Sequence, residues 1–285
     1  MDEALREPMD MPEPRFPVKV HRCRHEGKGK VLFPHHWHEH LEFLYFVTGE
    51  ASLELGSATL RAKEGDLIVV NSNELHAGIS HSDHLFYYAL IADISLLQSH
   101  TLDAAEMKFI TPIAQNRLLF GNRITNDETR LSMLTIIQEL ENRSFGYELA
   151  IKSELYRLLA LLLRGFVATV LTPDEYDQRM KNVQRFAPIF EYIDKQYQEP
   201  ITVDQLAGMA GLSRFHFSRL FKELSGKTVT EFVNETRISK ADQLLRSSPL
   251  TVSEIAVATG FNDIYYFSRL FKKHKKIAPS AVRKH

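Results

Sequence analysis

One hexapeptide, Phe-Ser-Arg-Leu-Phe-Lys, occurs twice in this chain, at residues 217–222 and again 50 residues later at 267–272. The segments leading into it also match, TVDQLAGMAGLS at 202–213 with TVSEIAVATGFN at 251–262, here at an offset of 49. Leu206 pairs with Ile255, Ala207 with Ala256, Gly211 with Gly260 and Leu212 with Phe261. The change of offset means that the second copy carries one extra residue after its turn. A match covering both a hexapeptide and its approach is a duplicated structural unit, and two copies are too few for a solenoid.

Each copy reads as a helix-turn-helix. A small residue (Ala207, Ala256) sits where a second helix must cross closely, and a glycine (Gly211, Gly260) supplies a left-handed turn. Ser213 in the first copy, and Asn262 or Asp263 in the second, can cap the helix that follows. On those helices Phe217, Leu220 and Phe221 share one side, as do Phe267, Leu270 and Phe271. The opposite sides carry Arg214, Phe215, Ser218, Arg219 and Lys222 in one copy, and Ile264, Tyr265, Ser268, Arg269, Lys272 and Lys273 in the other. Arginine grips guanine bidentately and apolar edges meet thymine methyls, so these faces suit the major groove of DNA, with the lysines on phosphates.

Charge points the same way. From residue 180 onward there are 17 Lys and Arg against 10 Asp and Glu, a net of +7, whereas the first 179 residues hold 18 against 26, a net of −8. An acidic half joined to a basic half implies two tasks, one of them involving a polyanion.

Residues 202–283 resemble the DNA-binding domain of the AraC/XylS family of bacterial transcription regulators. The stretch GFNDIYYFSRLFKK carries the likeness most specifically, and Arg237, Ala241, Leu244 and Leu245 fit the family's linking helix. Two positions depart from the pattern: Lys276 stands where glycine is usual, and Val282 where an aromatic is common before Arg283. The resemblance is close over about the last 105 residues and looser over the whole chain. It implies promoter DNA as a partner, a small-molecule effector such as a sugar, a homodimer, and contact with RNA polymerase if the protein is an activator.

The acidic half divides into two textures. Residues 1–15 are rich in proline and charge and read as a flexible lead-in. Residues 16–105 hold short β-branched and aromatic runs separated by Gly, Asn and Ser, the pattern of a sandwich or small barrel. Residues 106–171 read as a helical connecting and dimerisation region. Within it, 147–167 places Leu155, Leu158, Leu159, Leu162, Leu163 and Phe166 at helical spacing. That wide apolar face packs either within the chain or on a second subunit. Residues 172–180, opening with Thr-Pro, read as a polar linker before a DNA-binding domain over 181–285, with its two helix-turn-helix units at about 202–225 and 251–274. Pro188 starts or kinks the first helix beyond the linker. The expected fold is thus α+β and multidomain, a β-barrel with appended helices followed by an all-α domain.

Seven of the 13 histidines lie between His35 and His84. His36-x-His38-x3-Glu42-x6-Gly49 is followed by Gly65-x10-His76, and histidines two apart on a strand share a face. Three imidazoles and one carboxylate make a workable site for a first-row divalent metal. The pattern resembles a cupin barrel, although its second motif matches only at Gly65 and His76. Three readings follow: an effector pocket without metal formed by His36, Trp37, His38, Glu42 and His76; a sensor holding metal at His36, His38, Glu42 and His76; and a metal-dependent cupin enzyme whose helices form an interaction module. No second acid–base constellation accompanies the histidines, so a regulator is expected rather than an enzyme. The lone Cys23 excludes an internal disulfide. The start of the chain reads as no signal peptide, and Arg164 interrupts the longest apolar stretch. A cytoplasmic protein with no membrane span is expected.

Overall fold

In the computed structural model, residues 5–8, 10–98 and 103–282 are described; Arg283 lies outside them. The chain forms two compact units, one built mainly from residues 7–181 and the other mainly from 182–285. No helix among the described residues is long and apolar enough to cross a membrane.

The first unit opens with β1 (Val18–Glu26), β2 (Val31–His36), β3 (Leu41–Thr48), β4 (Ala51–Leu55), β5 (Ala58–Ala62), β6 (Leu67–Val70), β7 (His76–Ser80) and β8 (His84–Ala92). A short helix α1 (Thr111–Ala114), strands β9 (Leu118–Phe120) and β10 (Arg123–Ile124), helices α2 (Asp127–Asn142) and α3 (Tyr147–Gly165), and strand β11 (Val167–Val170) follow. Five strands order as β1-β8-β3-β6-β10 and four as β2-β7-β4-β5, while β9 and β11 pair separately.

The central strands of the first sheet, β3 and β6, are buried on both faces, which accounts for the nearly unbroken apolar run of β3. Alternate residues serve opposite cores. Leu44, Phe46, Ile68, Val70, Tyr87 and Ala89 join Ala51, Leu53 and Leu55 of the second sheet. Leu41, Phe43, Leu67, Val69 and Leu90 join Met133, Ile136 and Ile137 of α2 and Leu155, Leu158 and Leu162 of α3. The leucine face of α3 is therefore largely spent within the chain.

Three sequence expectations change here. The helix expected over 147–167 ends at Gly165, because Gly165 and the aromatic Phe166 lead into a Val-Ala-Thr-Val run that favours the strand β11. The region expected to be helical over 106–171 also contains β9, β10 and β11, and β10 extends the first sheet through β6. The expected linker at 172–180 is helical: α4 runs from Pro173 to Gln196 with Pro188 inside it. Thr172 and Glu175 exchange side-chain and backbone hydrogen bonds at its start, and Pro173 needs no amide partner there.

The second unit continues α4 with α5 (Val203–Met209), α6 (Arg214–Ser225), α7 (Val229–Ser247), α8 (Val252–Ala258), α9 (Ile264–Lys275) and α10 (Pro279–Val282). The duplicated phenylalanines carry its two cores. Phe217 stacks on Phe186 at 5.3 Å, and Phe221 meets Phe190 at 5.2 Å and Phe232 at 5.6 Å. Phe267 and Phe271 pack with Phe261, Ile255, Ala256, Ile238 and Ala241. Buried Lys275 pairs with buried Asp242 at 3.2 Å, tying α9 to the linking helix α7.

Candidate functional site

Two constellations stand out, one in each unit. In the second unit each helix-turn-helix turns on a left-handed glycine, Gly211 with φ 64° and Gly260 with φ 84°. Ser213 caps α6 by accepting from the His216 amide. Asp263 caps α9 by accepting from Tyr265 and Tyr266, so Asn262 is the extra residue of the second copy. With the caps fixed, Phe217 and Phe267 point inward and the outer faces are set by the helical period.

Phe215 and Tyr265 are 82% and 85% exposed, an unusual state for aromatic side chains with a core beside them. Arg214, Ser218, Arg219 and Lys222 are exposed on α6, as are Arg269, Lys272 and Lys273 on α9, while Ile264 and Ser268 are half-buried. Arg214 pairs with Asp204 at 2.9 Å, Arg219 lies 3.5 Å from Glu223, and Arg269 sits 5.7 Å from the centre of the Tyr266 ring. Exposed ion pairs of this kind hold little energy, so these guanidinium groups can leave their partners for another anion. Arg237, a match to the family pattern, has a structural task. It donates to the carbonyls of Tyr197 and Glu199 at 2.6 and 2.9 Å, closing the chain after α4.

In the first unit, His36 ends β2, His38 lies just beyond that strand, Glu42 projects from β3 and His76 starts β7. His36 pairs with His76 across the β2–β7 ladder. The three histidines each present a nitrogen within 4.8 Å of the others. Their far nitrogens are already committed. Nδ1 of His36 bonds the Pro34 carbonyl at 2.9 Å, Nδ1 of His38 the His40 carbonyl at 3.0 Å, and Nδ1 of His76 the Glu74 carbonyl at 2.7 Å. A carbonyl only accepts, so each Nδ1 carries its hydrogen and Nε2 is the nitrogen that faces inward.

Those inward nitrogens meet a carboxylate. Glu42 Oε2 lies 3.4 Å from His38 Nε2 and 3.3 Å from His76 Nε2. His76 Nε2 is buried and, despite that proximity, lacks the geometry of a hydrogen bond. Burial works against ionising Glu42, but His38 and His76 outweigh it and hold the carboxyl below the ordinary carboxylate range. Burial pushes His76 down to about 4, with Glu42 opposing. Three imidazole nitrogens and one carboxylate, three of the four side chains buried, thus gather around one point. The donor set, three imidazole nitrogens and one carboxylate oxygen, suits zinc, iron, manganese, cobalt or nickel. Each ring is also oriented by a backbone carbonyl, as ligating histidines generally are.

Sequence reasoning had not found Glu7. It lies in the stretch expected to be a flexible lead-in, yet its amide donates to the Trp37 carbonyl at 3.0 Å and its Oε2 lies 3.1 Å from His36 Nε2. Against the opposing effect of burial, Glu7 and the Pro34 carbonyl raise the His36 pKa. Trp37 itself is half-buried. His35 and His40 belong outside the centre, His35 pairing with Glu54 at 2.8 Å and His40 lying 3.8 Å from Asp93.

Comparison with known proteins gives these arrangements a lineage. Residues 20–159 match the family described as an AraC-like ligand binding domain, and residues 206–285 match a helix-turn-helix domain family. The chain is similar to the uncharacterized HTH-type transcriptional regulator YdeC of Bacillus subtilis, 26% identical over 100% of this chain and 97% of that protein. It is also similar to the HTH-type transcriptional activator Btr of Bacillus subtilis, 26% identical over 80% of this chain and 41% of Btr. The probable transcription factor PqrA of Proteus vulgaris is 33% identical over 33% of this chain and 80% of its own length. The chain belongs to the AraC family, and is a DNA-binding transcription regulator that carries a β-rich ligand-binding domain ahead of its two helix-turn-helix units.

Proposed function

We propose that this regulator is an activator that reads promoter DNA with α6 and α9 and takes its instruction from a small molecule bound at the histidine centre. The observation that carries the DNA reading is the matched pair of outward faces, each with an exposed aromatic, an exposed arginine and lysine, and a glycine-set turn behind it. Arg219 and Arg269 contact bases, with Phe215, Ser218, Ile264, Tyr265 and Ser268 beside them. Arg214, Lys222, Lys272 and Lys273 serve phosphates and flanking contacts. Because the neighbours of the two arginines differ, each subunit reads an asymmetric site.

His36, His38, Glu42 and His76 would hold a divalent metal, which would supply Lewis-acid coordination to the oxygen atoms of an effector such as a sugar or related metabolite. The chain's own residues orient it. Glu42 balances its charge from a fixed strand, and the three backbone carbonyls hold the rings in the ligating tautomer. The name of the relative Btr supports the activator role, which makes RNA polymerase a partner, and the protein acts as a cytoplasmic homodimer. The relatives named above are regulators, which favours this reading over a cupin enzyme with a helical interaction module.

Elemental analysis of the purified full chain tests the metal, and binding to the DNA upstream of its own gene tests the regulator. A stoichiometric first-row metal is expected in the parent and absent from His38→Ala. No retained metal, and no stabilisation by added zinc, manganese or iron, would leave an effector pocket of metal-free type.

A further inference from the structure

Exposure around the histidine centre is one-sided. The side chains of His38 and His76 are 1% exposed and that of Glu42 8%, whereas His36 is 16% exposed and Glu7 43%. The centre therefore opens to solvent past His36, and Glu7 stands in that opening. With His36 Nδ1 bonded to Pro34, only Nε2 faces inward, and the Glu7 carboxylate oxygen is on it.

The two carboxylates of the centre are held very differently. Glu42 is locked into β3, opposite Val70 on one side and Ile91 on the other. Glu7 belongs to no strand. Its amide bond to Trp37 anchors it, and Pro8 beside it has no amide to offer a neighbouring strand. One carboxylate is thus a permanent wall of the site and the other an occupant that can leave.

We propose that Glu7 is a built-in substitute for the carboxylate of the effector. The effector class is then a small carboxylic acid, with a hydroxycarboxylate or sugar acid the form that adds further oxygen donors. On binding, its carboxylate takes the place of Glu7 beside His36 and releases the N-terminal segment. A neutral sugar fits this exchange poorly, because it brings no carboxylate to the position that Glu7 would vacate beside His36 Nε2. This inference rests on the reading of the histidine centre as the effector site. It does not require the metal, since the subsite is defined by the position that the Glu7 carboxylate takes at His36 Nε2.

The test uses the full chain, as purified and after loading with zinc. Gluconate and glycolate serve as carboxylate probes and glucose as the neutral counterpart. Isothermal titration measures affinity, and the fluorescence of Trp37, the only tryptophan, reports departure of the segment bonded to its carbonyl. Glu7→Gln keeps the size of the side chain and removes its charge. If Glu7 occupies the subsite about nine-tenths of the time, removing it should tighten carboxylate binding roughly tenfold. The parent should show a Trp37 emission change on carboxylate binding that Glu7→Gln largely lacks, and glucose should bind neither protein. Equal or weaker carboxylate binding by Glu7→Gln would overturn the proposal, as would failure of both probes to bind either protein. Zinc uptake by the parent is scored separately: its absence would sink the metal reading, while the comparison of parent with Glu7→Gln would still decide the role of Glu7.

Discussion

Replacing Gly260 with alanine should cost much more than the matching change at Gly211, although both glycines occupy the same turn of a duplicated unit. Both are left-handed, at φ 84° and 64°. A side chain in that conformation costs about 1–2 kcal/mol, and alanine recovers roughly 0.4–1 kcal/mol by stiffening the unfolded chain. Around Gly211 a new Cβ would meet nothing within 4 Å. Gly211→Ala should therefore destabilise by about 0.5–1.5 kcal/mol. At Gly260 the Cβ would lie 2.5 Å from the Gln198 carbonyl oxygen and 3.0 Å from both its carbonyl carbon and its Cα. Those are backbone atoms, and they cannot rotate aside. Their neighbours are pinned as well, because the carbonyls of Tyr197 and Glu199 accept from Arg237. Relief requires a backbone shift of the overpacking kind, adding about 1–3 kcal/mol. Urea unfolding of the full chain measures both variants, with the transition of the second unit followed by protection of its helices from hydrogen exchange. The pinning argument makes a second demand: in an Arg237→Ala background the excess cost at Gly260 should shrink. Equal costs at the two glycines, within about 0.5 kcal/mol, would refute the reasoning.

Arg219→Ala and Arg269→Ala should each weaken specific DNA binding by about 1–3 kcal/mol and relax sequence preference locally. Lys272→Ala and Lys273→Ala should instead weaken all sequences and flatten the salt dependence, as measured by titration at several salt concentrations. Lys276 caps α9 in the left-handed conformation at φ 63°, where Gly226 caps α6 at φ 72°. Lys276→Gly should thus stabilise the second unit by roughly 0.5–1 kcal/mol in the same unfolding assay. Residues 1–175 should sediment as a dimer, using the exposed Leu149 and Tyr156 of α3 rather than its buried leucines. A monomer at high micromolar concentration would count against that interface.

The helix-turn-helix units were legible because everything that specifies them is local: a small residue at the crossing, a glycine at the turn, a cap, and aromatic residues on one face. The departure at Lys276 was legible too, and the left-handed cap supplies its physical meaning. The helical character of 172–180 was written just as locally. Thr172, Pro173 and Glu175 are a cap, a first-turn proline and the reciprocal partner of the cap, but the polar residues after them resembled a linker. The ligand set of the histidine centre could be read from spacing, whereas the ring orientations could not, since they depend on the carbonyls of Pro34, His40 and Glu74. Glu7 left no signal at all. It reaches the centre from a proline-rich stretch without periodicity, through a non-local contact.

The first sheet is a single layer with a charged centre on one side and packed helices on the other. Glu42 faces the histidines, while its neighbours Leu41 and Phe43 on the same strand press into the core shared with Met133, Ile137, Leu155 and Leu158. Such a layer behaves as a stiff diaphragm. Close-packed side chains have little free volume to take up a displacement, so a push on one surface arrives at the other nearly undiminished. A strand carrying a ligand on one face and core residues on the next cannot settle into a new position against the histidines without also re-seating α2 and α3. A displacement of Glu42, only a few atoms wide, would thereby become a change in the posture of two helices.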